Sequence, residues 1–162
     1  MFKSVTYPKN HLLLKNGGYA KELLFIKEGF VRVFKQEDKK EVTQWIGSST
    51  EFITEINSFF FNQQSRWNIQ ALSEVKGLAL SKNDYDALHL KVENWTKIEK
   101  DFIAKCFAQA ENRIYQLLSN SAEERYQAFY QHKKELFNLV PHQYIASMLG
   151  MSPETLSRIR AK

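Results

Sequence analysis

Ser152-Pro-Glu-Thr-Leu-Ser-Arg-Ile-Arg160 packs two guanidinium groups, one carboxylate and three hydroxyls into nine residues. A guanidinium fork can grip O6 and N7 of guanine together, a carboxylate accepts from the amino group of cytosine, and Ser or Thr hydroxyls bond to bases or phosphates. Such side chains can read a nucleic acid if one rigid surface presents them. Helical periodicity supplies that surface. Ser152 is placed to cap, Pro153 to take the first helical position and Glu154 to complement the positive end of the helix dipole. The outward face is then Pro153, Glu154, Ser157, Arg158 and Arg160, while Leu156 and Ile159 turn inward.

A partner helix is expected just upstream. Pro141 suits a first helical turn, and the helix runs to Leu149. Gly150 then reverses the chain, because glycine reaches positive φ without a Cβ penalty. Ile145, Leu149, Met151, Leu156 and Ile159 supply apolar contacts between the two helices, and Ala146 lets their backbones approach. This is a helix-turn-helix core. An αα-hairpin that only packs on a core wants the same spacing, so the rest of the chain must discriminate.

Other chemistry finds no apparatus. His11, His89, His132 and His142 are scattered, and no H-E-x-x-H, G-x-S-x-G or phosphate-loop motif occurs. Asp84, Asp86, Glu123 and Glu124 sit at helix starts, where the dipole accounts for them. No catalytic residue and no metal site is assigned, and the chain is expected not to be an enzyme. The single cysteine, Cys106, excludes an internal disulfide or a cysteine-held cluster within one chain and suggests a reducing compartment.

The 162 residues carry 23 basic and 18 acidic side chains, a net charge of +5, with 43% hydrophobic content. That balance is compatible with a polyanionic partner. Residues 1–100 hold 15 basic and 12 acidic residues and 101–162 hold 8 and 6, so any nucleic-acid contact must come from a shaped surface rather than a basic tail. The opening residues lack a signal-peptide core, and nowhere do about 18 apolar residues run together. A cytoplasmic location without membrane contact is expected.

Short β-rich runs occupy the first half: Leu12–Leu14, Leu23–Ile26, Phe30–Phe34, Val42–Ile46, Trp67–Leu72 and Val75–Leu80, with a strand-like segment at the very start. Gly, Asn and Asp punctuate them, with one turn over Gln36 to Lys40, which argues for an antiparallel barrel or sandwich. Phe25, Phe30, Phe34, Trp45 and Trp67 suit a half-buried pleated surface. Phe59, Phe60 and Phe61 cannot all face inward from one strand, so at least one belongs on a loop or helix turn, or covers a partner surface. Cap chemistry at Ser81 starts a short helix toward His89, and a long helix follows from about Glu93 to Leu118. On it Ile103, Phe107, Ala110, Ile114 and Leu117 alternate steps of four and three, the spacing of a dimer seam. Trp95, Ile98, Phe102 and Cys106 form an adjacent stripe. A helix packed on one core without a partner is the alternative. Ser121-Ala-Glu-Glu124 is a capping box opening a further helix with Tyr126, Phe129 and Tyr130.

With that order established, the chain resembles the Crp/Fnr family of bacterial transcription regulators, most specifically at Phe52-Ile-Thr-Glu-Ile56, Asn68-Ile-Gln-Ala-Leu72, Ser121-Ala-Glu-Glu-Arg125 and Ser152-Pro-Glu-Thr-Leu-Ser-Arg158. The resemblance implies an α+β chain: an antiparallel β jelly roll at 1–92, a long dimerisation helix at 93–119 and a C-terminal helix-turn-helix at 120–162 lacking a complete wing. It implies a homodimer on double-stranded DNA, RNA polymerase as a partner, and an unidentified small-molecule effector. Ser152, Glu154, Thr155 and Arg158 fall where the family places its DNA-reading positions, with Arg158 toward guanine and Glu154 toward cytosine or holding Arg158. Pro153 departs from the basic residue of the cyclic-AMP-responsive members, so a different recognised sequence is expected.

The resemblance also implies an effector pocket at Glu55, Ser65 and Arg66. Members that bind cyclic nucleotides use glycine N–H groups, a glutamate and an Arg-Ser pair to hold the ligand. Here Thr54 and Asn57 stand at the glycine positions, Glu55 matches the glutamate, and Ser65-Arg66 is reversed. Cyclic nucleotide is therefore disfavoured and no cofactor is assigned. The sequence ends at Lys162, where many members add a β-wing touching the DNA backbone; weaker, more salt-sensitive binding per subunit is expected without it.

Overall fold

The computed structural model describes residues 1–38 and 40–161. Lys39, within the Gln36–Lys40 turn, and Lys162 lie outside the described residues. The chain divides into two compact units, Met1–Asp86 and Ala87–Lys162.

The first unit contains β1 (Phe2–Tyr7), β2 (Leu12–Leu14), β3 (Glu22–Glu28), β4 (Val31–Glu37), β5 (Lys40–Gly47), β6 (Phe52–Ile53), α1 (Ile56–Phe61), β7 (Asn68–Ala71), β8 (Val75–Ser81) and α2 (Lys82–Asp86). Two four-stranded sheets form, ordered β1-β8-β3-β6 and β2-β7-β4-β5, and every pairing is antiparallel. This is the expected jelly roll. Alternation sends Val31 and Val33 of β4 and Ile69 and Ala71 of β7 inward, where they meet Leu24, Ile26, Ile53 and Val75 in one core. The strand-like opening is β1, whereas β6 was not expected, because two residues carry no periodicity.

Turn chemistry sets the crossovers. Gly29 has φ +93°, and a Cβ there would stand 2.2 Å from the Glu74 carbonyl oxygen, so only glycine fits between β3 and β4. The phenylalanine run resolves by helical periodicity: Phe59 is buried at 1% exposure and Phe61 is exposed at 66%. Arg32 is buried on β4, but its charge is matched. Nε donates to Thr43 Oγ1 at 2.9 Å, Nη1 pairs with Glu41 at 2.7 Å, and the guanidinium lies over the Phe34 ring.

The second unit is helical: α3 (Leu88–Lys91), α4 (Trp95–Ser119), α5 (Ala122–Lys133), α6 (Leu136–Leu139), α7 (His142–Met148) and α8 (Pro153–Arg160). The single helix expected from Ser81 toward His89 is instead two, α2 ending at Asp86 and α3 beginning at Leu88, with Ala87 between them offering no capping side chain. The Ser121 capping box is formed in both directions. From α5, Tyr126, Phe129 and Tyr130 close on Phe137 with ring centroids 5.3 to 5.8 Å apart, an aromatic core that supports the following hairpin. Among the described residues no helix is long and apolar enough to cross a membrane.

Candidate nucleic-acid interface and sensor cleft

The hairpin is built from its buried side. Ile145, Ala146 and Leu156 are fully buried, Leu149 nearly so, and Met148 joins them; Met151 and Ile159 are half-buried. Truncating a residue such as Ile145 to alanine would cost about 2–5 kcal/mol. Pro141 corrects the expectation in one respect. It caps α7 with extended backbone, ψ 128°, rather than occupying the first helical position, which falls to His142. Gly150 turns the chain at φ +68°. The Met151 N–H donates to Ala146 O at 3.0 Å and the Gly150 N–H to Ser147 O at 3.1 Å, the paired bonds of a Schellman ending.

α8 begins as its sequence requires. The Ser152 hydroxyl accepts from the Thr155 N–H at 3.2 Å, and Pro153 opens the helix. Ser152, Pro153, Glu154, Ser157, Arg158 and Arg160 are exposed on one surface, with Thr155 half-buried beside Ser152. The Glu154 carboxylate accepts from its own backbone N–H and from the Ser152 hydroxyl, which hold it below the usual carboxylate range. Arg160 turns back toward α7. Its Nη1 lies 2.9 Å from His142 Nδ1, and its guanidinium stands over Phe137. The same Nη1 lies 2.6 Å from His142 Nε2, which is also 2.9 Å from Phe137 O.

Along α4 no residue is buried. Ile103 is 48% exposed, Phe107 72%, Ile114 58% and Leu117 41%, and Ala110 is exposed between them. Leu117 also serves the hairpin: its Cδ2 would sit 3.0 Å from a Cβ placed on Gly150. Of the adjacent stripe, Trp95 and Phe102 are half-buried, while Ile98 and Cys106 are exposed.

In the first unit, Glu55 and Ser65 flank the Gly17–Ala20 segment. Glu55 is 4% exposed; its carboxylate accepts from the Ser58 N–H at 2.7 Å and so caps α1, while Ser58 Oγ accepts from Ala20 N–H. Ser65 is 2% exposed, with its hydroxyl donating to Trp67 O and its backbone paired with Gly17 and Gly18. Arg66 points outward, exposed, near the Trp67 ring. Leu13, Leu14, Ala20, Lys21, Glu22, Leu24, Ile53, Thr54 and Ile69 line a cleft of about 30 Å³. Beside it the Tyr7 hydroxyl donates to the Glu22 carboxylate, and burial together with that carboxylate pushes the phenol pKa up.

Residues 4–91, more than half of the chain, match the sequence profile described as the cyclic nucleotide-binding domain. The chain belongs to the cyclic nucleotide-binding domain family. No curated protein matches it in sequence. Three solved structures share the fold of this cyclic nucleotide-binding domain protein over nearly its whole length. FixK2 from Bradyrhizobium japonicum superposes with a TM-score of 0.81 at 15% identity, covering 99% of this chain and 83% of its own. A transcriptional regulator described as of the crp/fnr family, from Eubacterium rectale, gives 0.71 at 16%, covering 98% and 76%. The catabolite activator protein of Thermus thermophilus gives 0.59 at 24%, covering 99% and 77%. At these identities the likeness is one of fold.

The residues of this cyclic nucleotide-binding domain do not fit the nucleotide its family name implies. One oxygen of the Glu55 carboxylate caps α1, the Ser65 hydroxyl donates within its own turn, and the Thr54 hydroxyl donates to Glu22 O at 2.9 Å. Arg66 lies outside the roll. A cleft of about 30 Å³ holds one or two water molecules.

Proposed function

We propose that the chain is a sequence-specific, DNA-binding transcription regulator that acts as a homodimer and whose jelly roll does not take a cyclic nucleotide. The observation that carries the reading is α8: a buried hairpin core fixes it while Glu154, Ser157 and Arg158 stay exposed on its outer surface. A hairpin that only packed would have no use for an arginine and a carboxylate held toward solvent. The dimer is supported by the apolar stripe of α4, in which Ala110 is exposed and Ile103, Phe107, Ile114 and Leu117 are each at least 41% exposed. Such a continuous apolar surface calls for a partner, and its repeat of about 3.5 residues suits a second copy of the same helix.

In this reading Arg158 reads guanine, Glu154 accepts from cytosine, Ser157 and Thr155 contact bases or phosphates, Ser152 and Pro153 seat the helix end against the backbone, and Arg160 reaches phosphate. RNA polymerase is the expected protein partner, and any effector of the roll is a small molecule other than a cyclic nucleotide. Selection from a random DNA pool followed by gel shift tests the reading: a near-palindromic consensus is expected, and retention without any preferred sequence at low salt would leave a ligand- or partner-binding jelly roll as the better description.

A further inference from the structure

We infer that Arg113 sets the spacing selectivity of DNA recognition by latching the hairpin turn to α4, an inference that rests on the DNA-binding reading above. It follows from an account of the carbonyls at the end of α7. A helix leaves its last carbonyl groups without intrahelical donors, and here the Schellman bonds serve Ala146 and Ser147. Met148, Leu149 and Gly150 remain. Arg125, from α5, donates Nε to Leu149 O at 2.8 Å and Nη2 to Gly150 O at 3.2 Å, while its Nη1 is anchored on Asn120 O at 2.6 Å. Arg113 Nη2 donates to Met148 O at 3.0 Å across 35 residues of sequence.

The two arginines differ in what they join. Arg125 reaches the turn from the helix that packs on α8, so it belongs to the support of the hairpin. Arg113 stands on α4, and four residues later on the same helix Leu117 lies against Gly150. Together they fasten the turn that directs α8 to the rod that carries the apolar stripe. Its guanidinium is largely withdrawn from water, and burial pushes its pKa down, yet arginine stays charged in proteins and so complements the negative end of α7. In a dimer joined along α4, holding α7–α8 fixed on α4 holds the two α8 helices at one separation and one rotation. One base pair inserted between half-sites shifts them by about 3.4 Å and turns them about a tenth of a helical repeat, which a rigid latch does not follow.

Arg113→Met keeps the apolar stem and removes the donor; Arg113→Lys keeps a charged donor and serves as the rescue. The site selected by the wild-type full chain is compared with the same half-sites separated by one base pair more or fewer. The wild type should lose about tenfold or more in affinity on either change, R113M less than about threefold, and R113K should recover part of the difference, with the half-site consensus itself unchanged. R113M retaining the wild-type spacing penalty would overturn the inference while leaving DNA binding intact. So would a fall in Tm of more than about 6 °C, which would mark Arg113 as a prop of the fold. A wild type that selects no sequence sinks the DNA-binding reading, and this inference with it.

Discussion

Arg158 is exposed in the last turn of α8, and under the proposed reading it grips one base. Replacing it by alanine should relax preference at one position of each half-site and cost about 1–3 kcal/mol per subunit there, read by competition against single-base variants of the selected site. Glu55 makes the opposite kind of prediction. Its carboxylate caps α1, so Glu55→Ala should lower stability by about 1 kcal/mol in thermal melts. At the helix starts of the second unit, Glu124 is held below the usual carboxylate range chiefly by the Ser121 N–H. A depressed folded-state pKa means that its contribution is present above the unfolded value and is lost as pH falls through the folded one. The Tm gap between wild type and Glu124→Ala should therefore narrow as pH drops from about 7 to about 3, and a gap that widens would contradict the capping box.

The long helix α4 was legible as an amphipathic rod because its apolar steps of four and three persist over several turns. Its length was legible too, since Ser119-Asn120 and the Ser121 box interrupt it. Ile114→Asp should convert dimer to monomer in sedimentation and abolish tight DNA binding with little change in the helicity of each chain; an unchanged sedimentation profile would argue against the seam. What periodicity did not reveal is that this helix also supports the hairpin turn. Arg113 and Leu117 touch the hairpin turn, a contact that depends on how α4 meets α7 and on no spacing within either. The turn itself was readable from Gly150. Gly150→Ala should destabilise the second unit by about 1–2 kcal/mol, through the left-handed backbone and the close Leu117 methyl together, measurable by urea denaturation.

At the scale of the molecule, no change in Trp67 fluorescence and no calorimetric signal are expected on adding cyclic AMP or cyclic GMP, because the groups that would hold the phosphate and ribose already hold the backbone; saturable binding at micromolar levels would refute the closed roll. The jelly roll was readable in outline because alternating apolar residues and turn-forming Gly, Asn and Asp residues are local signals. Its two-residue β6 and the burial of Arg32 were not, since both exist through neighbours distant in sequence. The sequence by itself determined the longer strands and helices to within a few residues, the apolar face of each, and which charged side chains α8 offers, for these follow from cap chemistry and periodicity over a few residues. Tertiary structure alone decided how those groups are employed. It bent Arg160 back onto His142 and gave the orphan carbonyls of α7 to two arginines, whereas Glu55 and Ser65 are held by partners three and two residues away. The partners of those three arginines are set by which distant segment folds beside them, and no local pattern encodes that.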